Sequence, residues 1–423
     1  MPKKEYEWED DSLPTIYDHS LAKHNALKNY LIRFVKALSP QPMQTQLRLD
    51  IIEGFSGGGL YKTQKGEPHL GSPLLILNAL EEARVMCELA RKDIKKIDRF
   101  EILGDRIFVD TSLPAINNLR KLLKQHGYGQ EIEKSIFLIN DSFESQLPKI
   151  LNRLKDRKNK AIFILDQYGY KDATIEHIKH IFEHCGNKAE VILTLATDSI
   201  ISYMSKQPQF KAAIQRAKLE HVITDQVIER FCDAPTGIQK LERVAIQYII
   251  AQSYHKLSGA RWGNSLFIRS RTSNRAYLYL HLSNNFRARE EMNQVFWEES
   301  NSFVQDAGKG INMFEYDPDD DIQQGFEFLF DDNSGSITID ELEKNLLSTL
   351  RQLKNEISFS QLLETSIESV TPAGQEHFQK AIFRLQEQKE ICVINESGGT
   401  RQKSNTINLK DRIKLPPQQT IIF

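Results

Sequence analysis

The stretch Leu47-Arg48-Leu49-Asp50-Ile51-Ile52-Glu53-Gly54-Phe55-Ser56-Gly57-Gly58-Gly59 decides how the chain is read. Leu47, Leu49 and Ile51 alternate with Arg48 and Asp50, and Ile52 follows, which is the pattern of a strand. The strand runs into an acid and then a glycine-rich turn. In doubly wound α/β folds, ligands bind at the carboxyl ends of such strands. Glycines there let a ligand approach the backbone, and the acid can meet a cationic methionine moiety. Working outward, Gly71-Ser72-Pro73 reads as a helix start, with Ser72 capping and Pro73 at the first helical position. Upstream, Leu27, Leu31, Phe34 and Leu38 recur at helical spacing over 20–38, with Lys23-His24 near the start.

The rest of the first 310 residues repeats this alternation. Strands are expected at 106–110, 135–139, 161–165 and 190–195, with helices at 113–123, 146–154 and 175–184 between them. Such alternation means a parallel sheet covered on both faces. Residues 198–235 read as a helical insertion. After the helix 239–257, two strands, 265–269 and 276–282, are joined by a connection short enough to make them antiparallel neighbours. Five parallel strands followed by an antiparallel edge hairpin give the expected fold class: α/β, Rossmann-like, of the class I methyltransferase type.

An acidic break at 317–321 marks a change of character. Residues 311–339 read as a linker, and 340–423 as a winged helix-turn-helix: three helical units, a strand, and a hairpin whose tip is Glu396-Ser397-Gly398-Gly399-Thr400-Arg401-Gln402-Lys403. At 423 residues two or three domains are expected. The net charge of −2 carries no global basic field, although a local basic face can sit on a neutral whole. Four scattered cysteines suggest neither a zinc site nor a disulfide framework, and point to a reducing compartment. The N-terminus lacks an apolar signal core and no run is long enough to span a bilayer, so a cytoplasmic protein without membrane contact is expected.

Acids fall at successive strand ends. Glu53, Phe55, Ser56, Gly57 and Gly59 form the candidate cofactor turn; Asp110 can accept from both ribose hydroxyls, and Asp141 can hold an adenine amino group. The cofactor this implies is S-adenosylmethionine (SAM). Asp166 and Tyr168, after the fourth strand, are the candidate catalytic residues: Asp166 to orient or deprotonate an acceptor N–H or O–H, Tyr168 to stack on a planar base. Their structural alternatives are a cap on the next helix for Asp166 and packing over the sheet for Tyr168. Arg287 and Arg289 read either as phosphate contacts or as a solvated helix start. The run from Asp331 to Leu342 imitates a calcium loop one residue out of register, and Thr338-Ile339-Asp340-Glu341 reads instead as a capping box.

The Lys23-His24 helix, the Glu53–Gly59 turn and Gly71-Ser72-Pro73-Leu74 together resemble the three-Cys-motif partner (TcmP) proteins. Asp166-Gln167-Tyr168-Gly169 is similar to their Asp-Pro-x-Gly segment, with Gln167 in place of the proline and Ser56 in place of an alanine. The resemblance implies a bacterial, methyltransferase-like protein with a winged helix, accompanied by a radical-SAM-like protein carrying three cysteines. Two functional expectations follow. One is a SAM-dependent methyltransferase acting on DNA, RNA or a nucleic-acid-associated partner that the winged helix brings through the helix at 372–386 or the wing at Arg401 and Lys403. The other is a non-catalytic scaffold or SAM-sensing protein. The 59–71 loop, long for a strand-to-helix turn, is expected to act as a lid or to be disordered.

Overall fold

The computed structural model describes residues 13–92, 99–235, 238–269, 276–298, 332–353, 356–367 and 371–416. The chain divides into two compact units, Met1–Val295 and Phe296–Phe423.

The first unit opens with α1 (Asp18–Leu38) and β1 (Gln46–Glu53). Every residue from Leu49 to Glu53 is buried, because this central strand is covered on both faces. A small antiparallel hairpin, β2 (Leu60–Lys62) and β3 (Pro68–Leu70), precedes α2 (Ser72–Lys92). Then follow β4 (Glu101–Leu103), β5 (Arg106–Asp110), α3 (Leu113–Gln125), β6 (Ile136–Asn140), α4 (Phe143–Leu154), β7 (Lys160–Asp166), α5 (Ile175–Cys185) and β8 (Ala189–Leu195). Three short helices, α6 (Thr197–Ser202), α7 (Pro208–Arg216) and α8 (Asp225–Asp233), lead to α9 (Gln239–Ser258), β9 (Trp262–Arg269), β10 (Ala276–Ser283) and α10 (Phe286–Glu298).

The main sheet runs in the order β6-β5-β1-β7-β8-β10-β9, parallel from β6 to β8 and antiparallel at β10 and β9. This is the strand order of the class I methyltransferase fold, the fold class that the sequence pattern anticipated. The hairpin is not simply appended: its second strand, β10, lies against β8, and β9 is outermost. The sequence reading also missed β4. Together β4 and β5 make one neighbour for β1, the first pairing with Gln46–Arg48 and the second with Ile51–Glu53. Gly104 breaks them, since a Cβ there would lie 2.1 Å from the Leu49 carbonyl oxygen. Below it Asp50 is fully buried and accepts from the Asp105 amide (2.7 Å), Arg157 (3.1 Å) and Asn159 (3.1 Å), a polar knot at the far end of the sheet from the glycine turn.

The hairpin β2–β3 is the 59–71 loop, and it is ordered. Gly71 donates to the Gly59 carbonyl at its base (2.8 Å), and residues 14–16 add a further edge through Ile16 N–H to Lys62 O (2.8 Å) and Lys62 N–H to Pro14 O (2.9 Å). A Cβ on Gly71 would stand 2.9 Å from the Gly59 backbone, so only glycine closes that base.

The second unit contains α11 (Asp332–Leu353), β11 (Ile357–Ser358), α12 (Phe359–Ser366), α13 (Gln375–Glu387), β12 (Cys392–Ile394) and β13 (Arg412–Lys414). Its sheet runs β11-β13-β12, antiparallel throughout. Three helices and a three-stranded wing make a winged helix-turn-helix. One local expectation is corrected here. Thr338 does not open a helix: α11 begins six residues earlier, and the buried Thr338 hydroxyl donates to the Ser334 carbonyl inside it (2.7 Å). The capping box in this unit belongs instead to Ser358 and Gln361 at the start of α12, within the short segment 357–363. Asp331, the acidic run 317–321 and most of the expected linker lie outside the described residues.

Candidate functional site

Parallel strands place their carboxyl ends along one edge of the sheet, and register sets the residues there. Glu53 lies level with Phe108 and Ile164, while Asp110 pairs with Asn140, Asp166 with Thr194, and Thr194 with Tyr279. Asn140, Asp110, Asp166, Thr194 and Tyr279 thus make a row along this edge, with Glu53 set back behind it.

Glu53 is fully buried, and neither of its carboxylate oxygens has a hydrogen bond of ordinary geometry. Burial pushes its carboxyl well above the usual range; the nearby Ser72 hydroxyl opposes this, and the charges of Asp166 and Asp110 reinforce it. Such a group is costly to ionise without a cation beside it.

The turn after it is shaped by its glycines. Gly57 and Gly59 take left-handed backbone angles, φ 60° and 82°. The Gly57 amide donates to one oxygen of Asp110 and the Ser112 amide to the other, both at 2.8 Å. Asn118 on α3 donates to the Gly58 carbonyl (2.8 Å). Asp110 therefore ties the glycine turn to the start of α3, and each oxygen keeps a lone pair. Ser56 is buried, its amide bonded to the Val109 carbonyl (3.0 Å), and Phe55 packs against Phe143 with ring centres 6.0 Å apart. Asp141 sits at the end of β6 with its carboxylate turned to α4, accepting from Ser142 N–H (2.7 Å), the Ser145 hydroxyl (3.1 Å) and Gln146 (2.6 Å). The Gln146 bond is the chief reason its carboxyl is lowered.

Asp166 is gripped by Lys23 from α1, whose Nζ is 2.6 and 2.8 Å from its two oxygens. Burial alone would raise this carboxyl. The charge and hydrogen bond of Lys23, with the Thr194 hydroxyl and His24, outweigh burial and hold it below the ordinary range. Asp166 does not cap the following helix; Thr174 does, in a reciprocal box with His177. Gln167 is buried and knots the loop, accepting from the Asp172 (3.0 Å) and Ala173 (3.1 Å) amides and donating to the Ala173 carbonyl (3.2 Å). That knot arches Tyr168 outward, 52% exposed, so it does not pack over the sheet.

Sequence reasoning quoted Lys23-His24 only as a motif and did not place it at the site. His24 Nδ1 lies 3.1 Å from His69 Nε2 on β3, with the rings stacked. Burial lowers both imidazoles, His24 to about 3, with Lys23 and His69 adding to the effect and Asp166 opposing it. The Lys23 ammonium also stands 5.7 Å from the Tyr277 ring centre. The hairpin is thereby linked through His69, His24 and Lys23 to Asp166. Arg287 and Arg289 are not at this edge: Arg289 is fully buried and paired with Glu290 (2.7 Å), and Arg287 with Glu291 (2.6 Å). Among the described residues no group of three or more His, Cys, Asp or Glu side chains is arranged to hold a metal, and no helix is long and apolar enough to cross a membrane.

Residues 315–398 match the family model described as a GMT-like wHTH domain. No curated protein sequence matches the chain. Among solved structures, the Legionella pneumophila protein LPL1258 is similar at 12% identity and a TM-score of 0.35, over 68% of this chain and 93% of that one. The plantazolicin methyltransferase BamL, in complex with a triazolic desmethylPZN analog and SAH, is similar at 11% identity and a TM-score of 0.28, over 63% and 86%. The bifunctional kinase-methyltransferase WbdD gives 10% and 0.31, over 65% and 44%. The fold assignment rests on the strand order described above rather than on these likenesses.

Proposed function

We propose that the chain is a SAM-dependent methyltransferase acting on nucleic acid or on a partner bound to nucleic acid. The observation that carries this reading is Glu53: a fully buried carboxyl with no hydrogen bond of ordinary geometry, behind a left-handed glycine turn, with Asp110 and Asp166 along the same edge and Lys23 bonded to Asp166. An edge so biased suits a cationic ligand with hydroxyl donors, and SAM is one. Glu53, Phe55, Ser56, Gly57, Gly59 and Asp110 would hold it, with Asp141 toward the nucleobase. When bound, it supplies an electrophilic methyl group.

The chain's own residues supply position. Lys23 keeps Asp166 ionised, so Asp166 accepts a hydrogen bond from an acceptor N–H or O–H and orients its lone pair. The outward Tyr168 ring offers a stacking surface for a planar base. Rate enhancement on this scheme comes mainly from alignment. The resemblance of the glycine turn and Gly-Ser-Pro start to TcmP proteins supports the same reading, and adds a radical-SAM-like three-Cys protein as a candidate partner.

The test is methyl transfer from labelled SAM to DNA, RNA and their bound proteins, with wild type and Asp166→Asn. Label incorporation that the variant loses while still binding SAM is the expected outcome. SAM binding without turnover on any acceptor would favour the scaffold or sensor reading.

A further inference from the structure

The winged unit carries polar side chains on two surfaces, and one of them is already used by the domain itself. Along α13, Gln379 donates to the Ile407 carbonyl (2.6 Å), and Gln386 donates to the Arg401 carbonyl (2.8 Å) while accepting from the Val393 amide (2.8 Å). Lys380 pairs with Glu376 (2.7 Å), and Arg384 with Asp340 (2.8 Å) and Glu343 (3.1 Å) on α11. Reading base edges with Gln379, Gln386 or Arg384 would mean breaking bonds that hold the helix to its own domain, whereas the exposed Lys380–Glu376 pair lies within α13 itself. Glu376 and Glu387 stand exposed near the two ends of α13, so a phosphate chain laid along it meets carboxylates.

The wing is the opposite case. Arg401 makes a bidentate pair with the buried Asp411 (2.6 and 2.8 Å), and Asp411 also accepts from the Asn408 amide (3.0 Å). This clasp fixes both ends of the 401–411 loop, and it takes Arg401 out of the candidate contact set in which the sequence had placed it. The other charged residues of 395–416 are Glu396, Lys403, Lys410, Arg412 and Lys414. Lys403 and Lys414 have no ionic partner among the described residues. Lys410 meets Glu396 at 3.2 Å with the two side chains 76% and 64% exposed, a pair that solvent screens heavily. Lys403 lies two residues inside the clasp and Lys410 directly beside it. Arg412 and Lys414 flank the buried Ile413 on β13, so both project from the face of the wing opposite the core, and there Arg412 is already paired with Glu356 (2.6 Å). Cations held on a fixed frame, without directional demands on their partner, suit phosphates.

We propose that the winged unit grips nucleic acid by its phosphates through Lys403, Lys410 and Lys414, and that α13 is not its reading helix. The wing then captures substrate without regard to sequence, and any base selection falls to the edge around Asp166 and Tyr168. This inference rests on nucleic acid being the substrate or its carrier.

The experiment measures binding of the full-length chain to short DNA duplexes and RNA strands of arbitrary sequence, by fluorescence anisotropy between about 50 and 200 mM salt. Wild type should bind unrelated sequences alike. The triple variant K403E/K410E/K414E should bind at least about tenfold more weakly and lose about 3 from the log–log salt slope, close to one per phosphate contact. Its melting temperature should match wild type, since the three lysines are surface groups. K380E on α13 should bind like wild type. If K380E loses binding and the triple variant does not, the wing assignment is overturned while the nucleic-acid reading stands. If the wild type binds neither DNA nor RNA, both fall, and an acidic protein surface becomes the partner to seek.

Discussion

Lys23 and Asp166, 143 residues apart in sequence, form a two-point ion pair at 2.6 and 2.8 Å, and it joins the first helix to the end of the fourth parallel strand of the sheet. The lysine side chain is 9% exposed and the aspartate 34%. Removing one member of a buried pair strands the other, at about 3–5 kcal/mol when burial is complete. Because Asp166 keeps contact with water, Lys23→Met should cost about 2 kcal/mol on that scale. The double variant Lys23→Met/Asp166→Asn should recover more than half of the loss. Chemical denaturation of the four proteins in a double-mutant cycle measures this, and strict additivity would contradict the pairing.

The imidazole of His24 is buried and neutral, its value lowered from 6.5 to about 3. An unfolded chain binds this proton below pH 6.5 and the folded one does not, so stability is full above that value and falls as the pH drops toward 3. The slope for one proton is about 1.4 kcal/mol per pH unit. His24→Asn should flatten the acid limb of the stability curve between those limits, read as melting temperature against pH. An unchanged limb would show that His24 is not buried neutral.

Glu53 gives the reverse sign. Its carboxyl is raised above the ordinary 4.5, so the folded chain holds a proton that the unfolded chain has lost. Its contribution is therefore present below pH 4.5 and declines as the pH rises toward the folded value. Glu53→Gln should raise the melting temperature of the ligand-free protein at neutral pH, with the gain vanishing near pH 4. It should also weaken SAM binding. A variant equally destabilised at both pH values would contradict the buried, unpartnered assignment.

Much of this was legible in sequence, for identifiable reasons. The five long parallel strands announce themselves because central strands are apolar on both faces, as in Ala161–Leu165, and their acids fall at strand ends because the chain turns there. The three-residue strands β2, β3 and β4 carry too few residues for any periodicity. The insertion of β10 between β8 and β9 depends on which strand of a hairpin finds the open edge, which local pattern does not encode. Long-range pairs such as Lys23 with Asp166 and His24 with His69 are likewise invisible without the fold. The Gln167 substitution looked like the loss of a proline, whereas the side chain replaces proline's rigidity with three hydrogen bonds.

The base of the β2–β3 hairpin offers a steric test. Gly71→Ala places a methyl group 2.9 Å from the Gly59 backbone and should cost about 1–3 kcal/mol while weakening cofactor binding. Gly66→Ala, at the tip with φ 85° and open space, meets only backbone strain of about 1 kcal/mol and should leave binding intact. Equal effects of the two on binding would separate the hairpin from the site.

The central claim is that the edge formed by Glu53, the glycine turn and Asp110 holds SAM. Isothermal titration of the full-length protein with SAM and with S-adenosylhomocysteine, repeated on Asp110→Ala, tests it most directly. The account predicts saturable one-to-one binding of both ligands by wild type and at least about tenfold weaker binding by the variant, the loss of two hydrogen bonds to a charged group. No heat of binding from wild type at millimolar ligand, or full affinity retained by a folded Asp110→Ala, would contradict it.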